Sequence, residues 1–424
     1  MQWMRSHISQ FFSSFLLFLL QACGGSSSGG GISEPSIDLA DARAFKTNAL
    51  YSNVIADCIR ANSVNNFCSL ETLPIIGLET NAPTIEDIMD RVVVSHDWMG
   101  QRFEQILGTL PPEMLTLFQA VTAIVIDSDI RPSRYLPGTG AIYLAPYYLW
   151  LSVDEKRTVS LKEDFRSGFD DALSFRVLNR YLKNGQYAFD YASLTNNSTR
   201  TINDIEILTA RILLHELAHA NDFIPPGSFN SLMLSQNLAQ AFDTLQGSHI
   251  SYRLMNLMPI ESSTMLSLAG VMYRGNTPSN ADLTLSASEV GGAFEPDGAS
   301  DDYAYTSRSE DIAMLFESTM MKYFFDVDHE IAFTNVPENP YYCDYYNIAW
   351  GAIGRIGDSN VKPRAQFAVS EILPNMNFAL FFQNLDAPVN TSGSWCPETS
   401  SSLSASKRPI LKEMPMADRT KPYL

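Results

Sequence analysis

One stretch constrains this chain more than any other. Between Thr201 and Pro225, apolar Ile212, Leu213, Leu214, Leu217 and Ala218 surround His215, Glu216 and His219. A helix so rich in apolar side chains belongs in a core, and polar groups carried into a core must find partners there. Thr201 or Asn203 is placed to cap its start. Asp204 and Glu206 follow in the first turns, where acids meet the positive end of the helix dipole. Pro225-Pro226-Gly227 ends it.

His215 and His219 are four residues apart and therefore share one face of that helix. Two imidazoles so placed can converge on one metal ion, with Glu216 beside it. A zinc ion held there would polarise a carbonyl and lower the pKa of a water molecule. Glu216 would take the proton from that water and pass it to a leaving amine.

The first residues read as an address. Arg5 and His7 give a weakly basic start, and Phe11-Phe12 and Phe15-Leu16-Leu17-Phe18-Leu19-Leu20 form a short apolar run. It is too short for a comfortable membrane span, so residues 1–22 read as a secretory signal. Its end, Leu20-Gln21-Ala22-Cys23, resembles the bacterial lipobox, in which the cysteine is lipidated and becomes the mature N-terminus. Residues 23–45 then read as a tether, because Gly24 to Gly31 is a run of Gly and Ser. The resemblance implies a lipid anchor in a bacterial cell envelope, and Gly24 after the cysteine resembles lipoproteins sorted to the outer membrane.

With Cys23 lipidated, Cys58, Cys68, Cys343 and Cys396 remain. An even number in an oxidising compartment predicts two disulfides. Of three connectivities, local pairing of Cys58 with Cys68 and Cys343 with Cys396 is favoured. The net charge of -18 repels nucleic acid and anionic lipid, so membrane contact is expected through the anchor alone.

At 424 residues two or three domains or subdomains are expected. The boundaries drawn are a helical region at 46–118, a central domain at 119–335, and a disulfide-stapled region with a loose tail at 336–424. Within them, β-branched 121–127 and short 141–145 read as strands. Residues 161–192 have helix-like periodicity, 228–274 read as two helices, Gly291 to Ser300 as a loop, and 309–325 as another helix.

His215-Glu216-Leu217-Ala218-His219 resembles the active-site helix of zincin metallopeptidases. A metzincin would need glycine and then a metal ligand at the places held by Asp222 and Pro225. Gluzincins take their third ligand from a glutamate on a later helix, and Ser309-Glu310-Asp311-Ile312-Ala313 resembles that helix. The resemblance implies Glu310 as third zinc ligand. Asp311 would then be free to orient a ligand histidine, and Glu317, two turns on, could be a structural carboxylate. Aspzincins use an aspartate, and Asp301-Asp302 loosely resembles their motif, so that alternative stays open.

Tyr303 or Tyr305 is a candidate donor to a developing oxyanion, or packing. Asp222 could hold an imidazole, or is a helix-end polar residue. His249 and His329 lack a motif and read as surface residues. Strand 141–145 is placed as the substrate-side edge strand of zincins, where it could add a peptide as an extra strand.

The expected fold is α+β and zincin-like. A small mixed sheet would lie on one side of the metal helix, and a mainly helical C-terminal subdomain carrying Glu310 on the other. The resemblance implies zinc-dependent hydrolysis of peptides or proteins. Two other readings stand beside it: a zincin-fold lipoprotein that binds a partner without cleaving, and a structural envelope protein whose histidines are incidental.

Overall fold

A computed structural model describes residues 37–162, 164–338 and 343–396. Cys23, the signal segment, most of the tether and the tail after Cys396 lie outside the described residues. Helices and two sheets combine into an α+β architecture. Among the described residues no helix is long and apolar enough to cross a membrane.

The first sheet contains β1 (Arg43–Ala44), β2 (Val92–Val94), β3 (Ala123–Ile126), β4 (Arg134–Leu136) and β5 (Ala141–Leu144), in the order β1-β2-β3-β5-β4. β2, β3 and β5 are parallel, while β1 and β4 run antiparallel at the two edges. Every residue of the three parallel strands is buried. Strands covered on both faces read as unbroken apolar runs, which is why Val92-Val93-Val94 passed as the end of a helix. It separates the helices Ile85–Met89 and Asp97–Leu107. β1 lies inside the stretch expected as tether.

β5 is not the edge strand expected from the sequence. The polypeptide reverses through Pro137 to Gly140, and β4 takes the outer position. Gly140 makes this reversal with φ of +69°, and a Cβ there would stand 2.0 Å from Leu238 Cδ1. No other residue fits.

Behind this sheet runs the histidine helix, Ile202–Phe223. The Asp204 carboxylate accepts from both the backbone N–H and the hydroxyl of Thr201, at 2.7 Å each. From Ile207 to Phe223 every side chain is buried, so the helix is central. Each fully buried Leu or Ile here contributes about 1.5–3 kcal/mol.

The second sheet contains β6 (Phe175–Lys183), β7 (Gln186–Tyr187), β8 (Asp328–Asn335), β9 (Asn347–Ile353), β10 (Val389–Asn390) and β11 (Gly393–Ser394). All pairings are antiparallel, in the order β10-β9-β8-β6-β7, with β11 also on β9. It corrects one expectation: the 161–192 segment holds a nine-residue strand rather than a helix. β6 is buried on both faces, so the alternation that identifies a half-exposed strand is missing.

Residues 228–274 form three α-helices rather than two: Leu238–Leu245, Ile250–Leu257 and Ser263–Arg274. The Gly291 segment starts inside a helix, Ala287–Phe294, and a Cβ on Gly291 would stand 2.3 Å from Trp350 Cβ. The Glu310 helix, Arg308–Phe325, begins with the Ser307 hydroxyl accepting from the Glu310 N–H at 3.1 Å and packs against the histidine helix. One continuous core extends from Ala42 to Phe382. Cys58 stands at disulfide distance from Cys68, and Cys343 from Cys396, with Cα separations of 5.4 and 5.5 Å.

Candidate metal centre

The histidine helix supplies His215 and His219 one turn apart, and the Glu310 helix crosses in front of them. Glu310 Oε2 lies 3.2 Å from His215 Nε2 and 3.3 Å from His219 Nε2, and the two ring nitrogens are 3.2 Å apart. Ligand atoms at the ~2.0–2.1 Å bond lengths of tetrahedral zinc stand about 3.3–3.4 Å from one another. The triangle therefore has dimensions that three ligands of one metal ion can take. This buried group could hold a metal ion.

The charges favour a cation there. Burial works against charge on His215, but the Glu310 and Glu317 carboxylates outweigh it and lift its pKa to about 10. Burial also opposes charge on Glu310, and the two imidazoles still hold its carboxyl well below the usual range. A positive charge among these groups, proton or metal, satisfies both carboxylates.

The far side of His215 is fixed as well. Its Nδ1 lies 3.2 Å from Glu317 Oε2. Tyr181, from β6, donates to Glu317 Oε1, and Arg211 Nη1 lies 3.5 Å from the same oxygen. Arg211 and Glu317 are both fully buried, which a charge tolerates only when paired. Burial raises the Glu317 carboxyl, but Arg211 and the hydrogen bonds from His215 and Tyr181 hold it below its ordinary value. An ionised Glu317 accepts from Nδ1–H and leaves Nε2 as a lone-pair donor toward the metal position, as metal-ligating histidines require. The sequence carried a signal for this: Arg211 stands four residues before His215, on the same face of an apolar helix.

Glu216 is buried, and its Oε2 has no hydrogen-bond partner. Burial raises its pKa, His215 and His219 partly offset this, and the Tyr135 backbone of β4 also bonds its carboxylate. A raised carboxyl beside a metal site suits a group that takes up and returns a proton.

The other sequence candidates lie elsewhere. Asp301 Oδ1 accepts from the Tyr303 N–H at 2.7 Å, and Asp302 Oδ2 from the Tyr273 hydroxyl at 2.5 Å. Neither joins the metal group. Asp311 does not orient a histidine, because Arg364 takes both its oxygens. Asp222 Oδ1 receives the Ser251 N–H at 2.6 Å, at the start of the helix Ile250–Leu257. Tyr305 donates to Asp297 at 3.0 Å, whereas the Tyr303 ring centroid lies 6.4 Å from that of His215.

His249 and His329 are buried, not surface residues. His249 packs between Phe242 and Phe223, and His329 stacks on Tyr181 and bonds Asn179 at 3.0 Å. Burial depresses both pKa values to about 4.

Comparison with family models, curated proteins and solved structures finds no match to this chain.

Proposed function

We propose that this protein is a zinc metallopeptidase with a zincin-like fold and the gluzincin ligand set. The observation that carries the reading is the convergence of His215, His219 and Glu310, with Glu216 beside them presenting one unpartnered carboxylate oxygen. His215, His219 and Glu310 would hold zinc, and the bound ion would polarise the scissile carbonyl and acidify a water. Glu216 takes the proton from the attacking water and delivers it to the leaving amine. Glu317 and Arg211 hold the His215 ring. β4, the outer strand beside the histidine helix, supports a peptide substrate, since an extended chain can add to an antiparallel edge.

The lipobox-like segment supports export and anchoring through Cys23 in a bacterial envelope, at the outer membrane by the Gly24 criterion. One rival reading has an observation in its favour. The metal ligands and Glu216 are each at most 5% exposed, which suits a zincin-fold protein that binds a partner without cleaving.

Incubating the full chain with a peptide mixture separates the two. Cleavage that stops on chelation and returns with stoichiometric zinc supports the peptidase. Full zinc occupancy without cleavage of any peptide contradicts it and leaves the binder.

A further inference from the structure

The two imidazoles of the metal group are held differently. His215 has Glu317 behind it, 3.2 Å from its Nδ1. His219 turns its Nε2 toward His215 and Glu310, at 3.2 and 3.3 Å. Its Nδ1 faces the other way and has no hydrogen-bond partner among the described residues, although His219 is only 3% exposed. Phe223 lies nearly parallel to the ring, with centroids 6.1 Å and planes 17° apart, and so limits how the ring can turn. A metal-ligating imidazole needs an acceptor at its second nitrogen, and a buried N–H without one is unfavourable.

Asp222 stands three residues after His219 on the same helix. Its Oδ1 is spent away from the metal centre, on the Ser251 N–H at 2.6 Å. Its Oδ2 has no partner among the described residues, and Asp222 is fully buried. Residues three apart share a helix face, with Cβ atoms about 5–6 Å from one another. A helical side chain also leans back over the turn before its own. One turn of helix therefore carries a buried donor and a buried acceptor, each without a partner. No direct hydrogen bond joins them, and a polar gap wider than about 3.5 Å is one that a water molecule bridges.

We propose that Asp222 is a positioning residue for the metal centre, its Oδ2 orienting His219 through one buried water. The inference deepens the peptidase reading and rests on metal binding at that site. The water accepts from Nδ1–H and donates to Oδ2, which keeps the proton on Nδ1 and leaves Nε2 as a lone-pair donor. Glu317 does the same for His215 by direct contact from a neighbouring helix. Asp222 does it for His219 from the same helix, while its other oxygen ties the start of the helix Ile250–Leu257 to this turn.

Asp222→Asn separates this role from a structural one. The Asn oxygen still accepts from the Ser251 N–H, but its NH2 then faces the water and gives that water's proton no acceptor. Zinc titration of the full chain against a competing chelator should show binding weakened about tenfold to a hundredfold, with the melting temperature of the metal-free chain close to wild type. Proton NMR of the cobalt-substituted chain reads the imidazoles themselves. Two exchangeable Nδ1–H signals are expected, and Glu317→Gln assigns the one from His215. In Asp222→Asn the His219 signal should move and exchange faster with solvent while the His215 signal stays. An unmoved His219 signal overturns the proposal whatever the affinity does, and so does wild-type zinc affinity in Asp222→Asn. A chain that binds neither metal overturns the positioning role and the peptidase reading together. The predicted changes in a chain that hydrolyses no peptide would sink the peptidase reading alone, and hydrolysis with an unmoved signal would sink the positioning role alone.

Discussion

His215 Nδ1 lies 3.2 Å from Glu317 Oε2, on the opposite side of the ring from the nitrogen that faces His219 and Glu310. One carboxylate two turns along the Glu310 helix thus sets the orientation of a ring on a neighbouring helix. Arg211, from the turn before His215, pairs with that same carboxylate.

Glu317→Gln should weaken zinc binding about tenfold to a hundredfold, the usual effect of losing a partner of a ligating histidine. It also breaks the buried Arg211–Glu317 ion pair, which costs on the order of 3–5 kcal/mol. Replacing both, Arg211→Met with Glu317→Gln, should recover part of the stability and none of the affinity. Zinc titration against a competing chelator, with thermal melting in parallel, reads the two effects. Unchanged affinity in Glu317→Gln would refute the role.

Acid should destabilise the fold through His249 and His329. Unfolded histidine takes up its proton near pH 6.5, while these buried rings resist protonation until about pH 4. The unfolded state therefore binds more protons between those values, and stability falls as the pH drops through that window. Each ring contributes on the order of 3 kcal/mol to the loss. Denaturant midpoints measured from pH 7 to pH 4 in His329→Gln should show a shallower decline than the wild type, and parallel curves would contradict the assignment.

Thiol labelling of the denatured, unreduced chain should find Cys58, Cys68, Cys343 and Cys396 all protected. The loops they close span 10 and 53 residues. By chain entropy, the longer loop contributes about 4 kcal/mol and the shorter about 3. Cys343→Ser should thus lower the melting temperature more than Cys58→Ser. The reverse order would remove the loop-length account.

The site was more legible in the sequence than the fold around it. His215, Glu216 and His219 stand out because helical spacing puts both imidazoles on one face. Glu310 could be singled out because an acid at the start of an apolar helix is held at a fixed height. Arg211 and Tyr181 were missed for different reasons. Arg211 was hidden among apolar neighbours with nothing local to say which carboxylate it meets, and Tyr181 lies on a strand that reads as a helix. β6 and β2 are covered on both faces and lose the period-2 signature. The placement of β4 outside β5 depends on Gly140 and on the packing of Leu238, residues almost 100 positions apart.

Anchoring is tested by Cys23→Ala, which should move the protein from the membrane fraction to the soluble one. Mass spectrometry of the mature N-terminus should find Cys23 first and acylated. An unmodified start at another residue would refute it.

Glu216→Gln tests the central claim most directly, because it keeps the size of the side chain and removes the base. Peptide hydrolysis should be measured by mass spectrometry for wild type and variant side by side, each carrying one zinc per chain. Cleavage by the wild type with a fall of about a hundredfold or more in the variant is the predicted result. Equal rates in the two proteins, at equal zinc content, would contradict it.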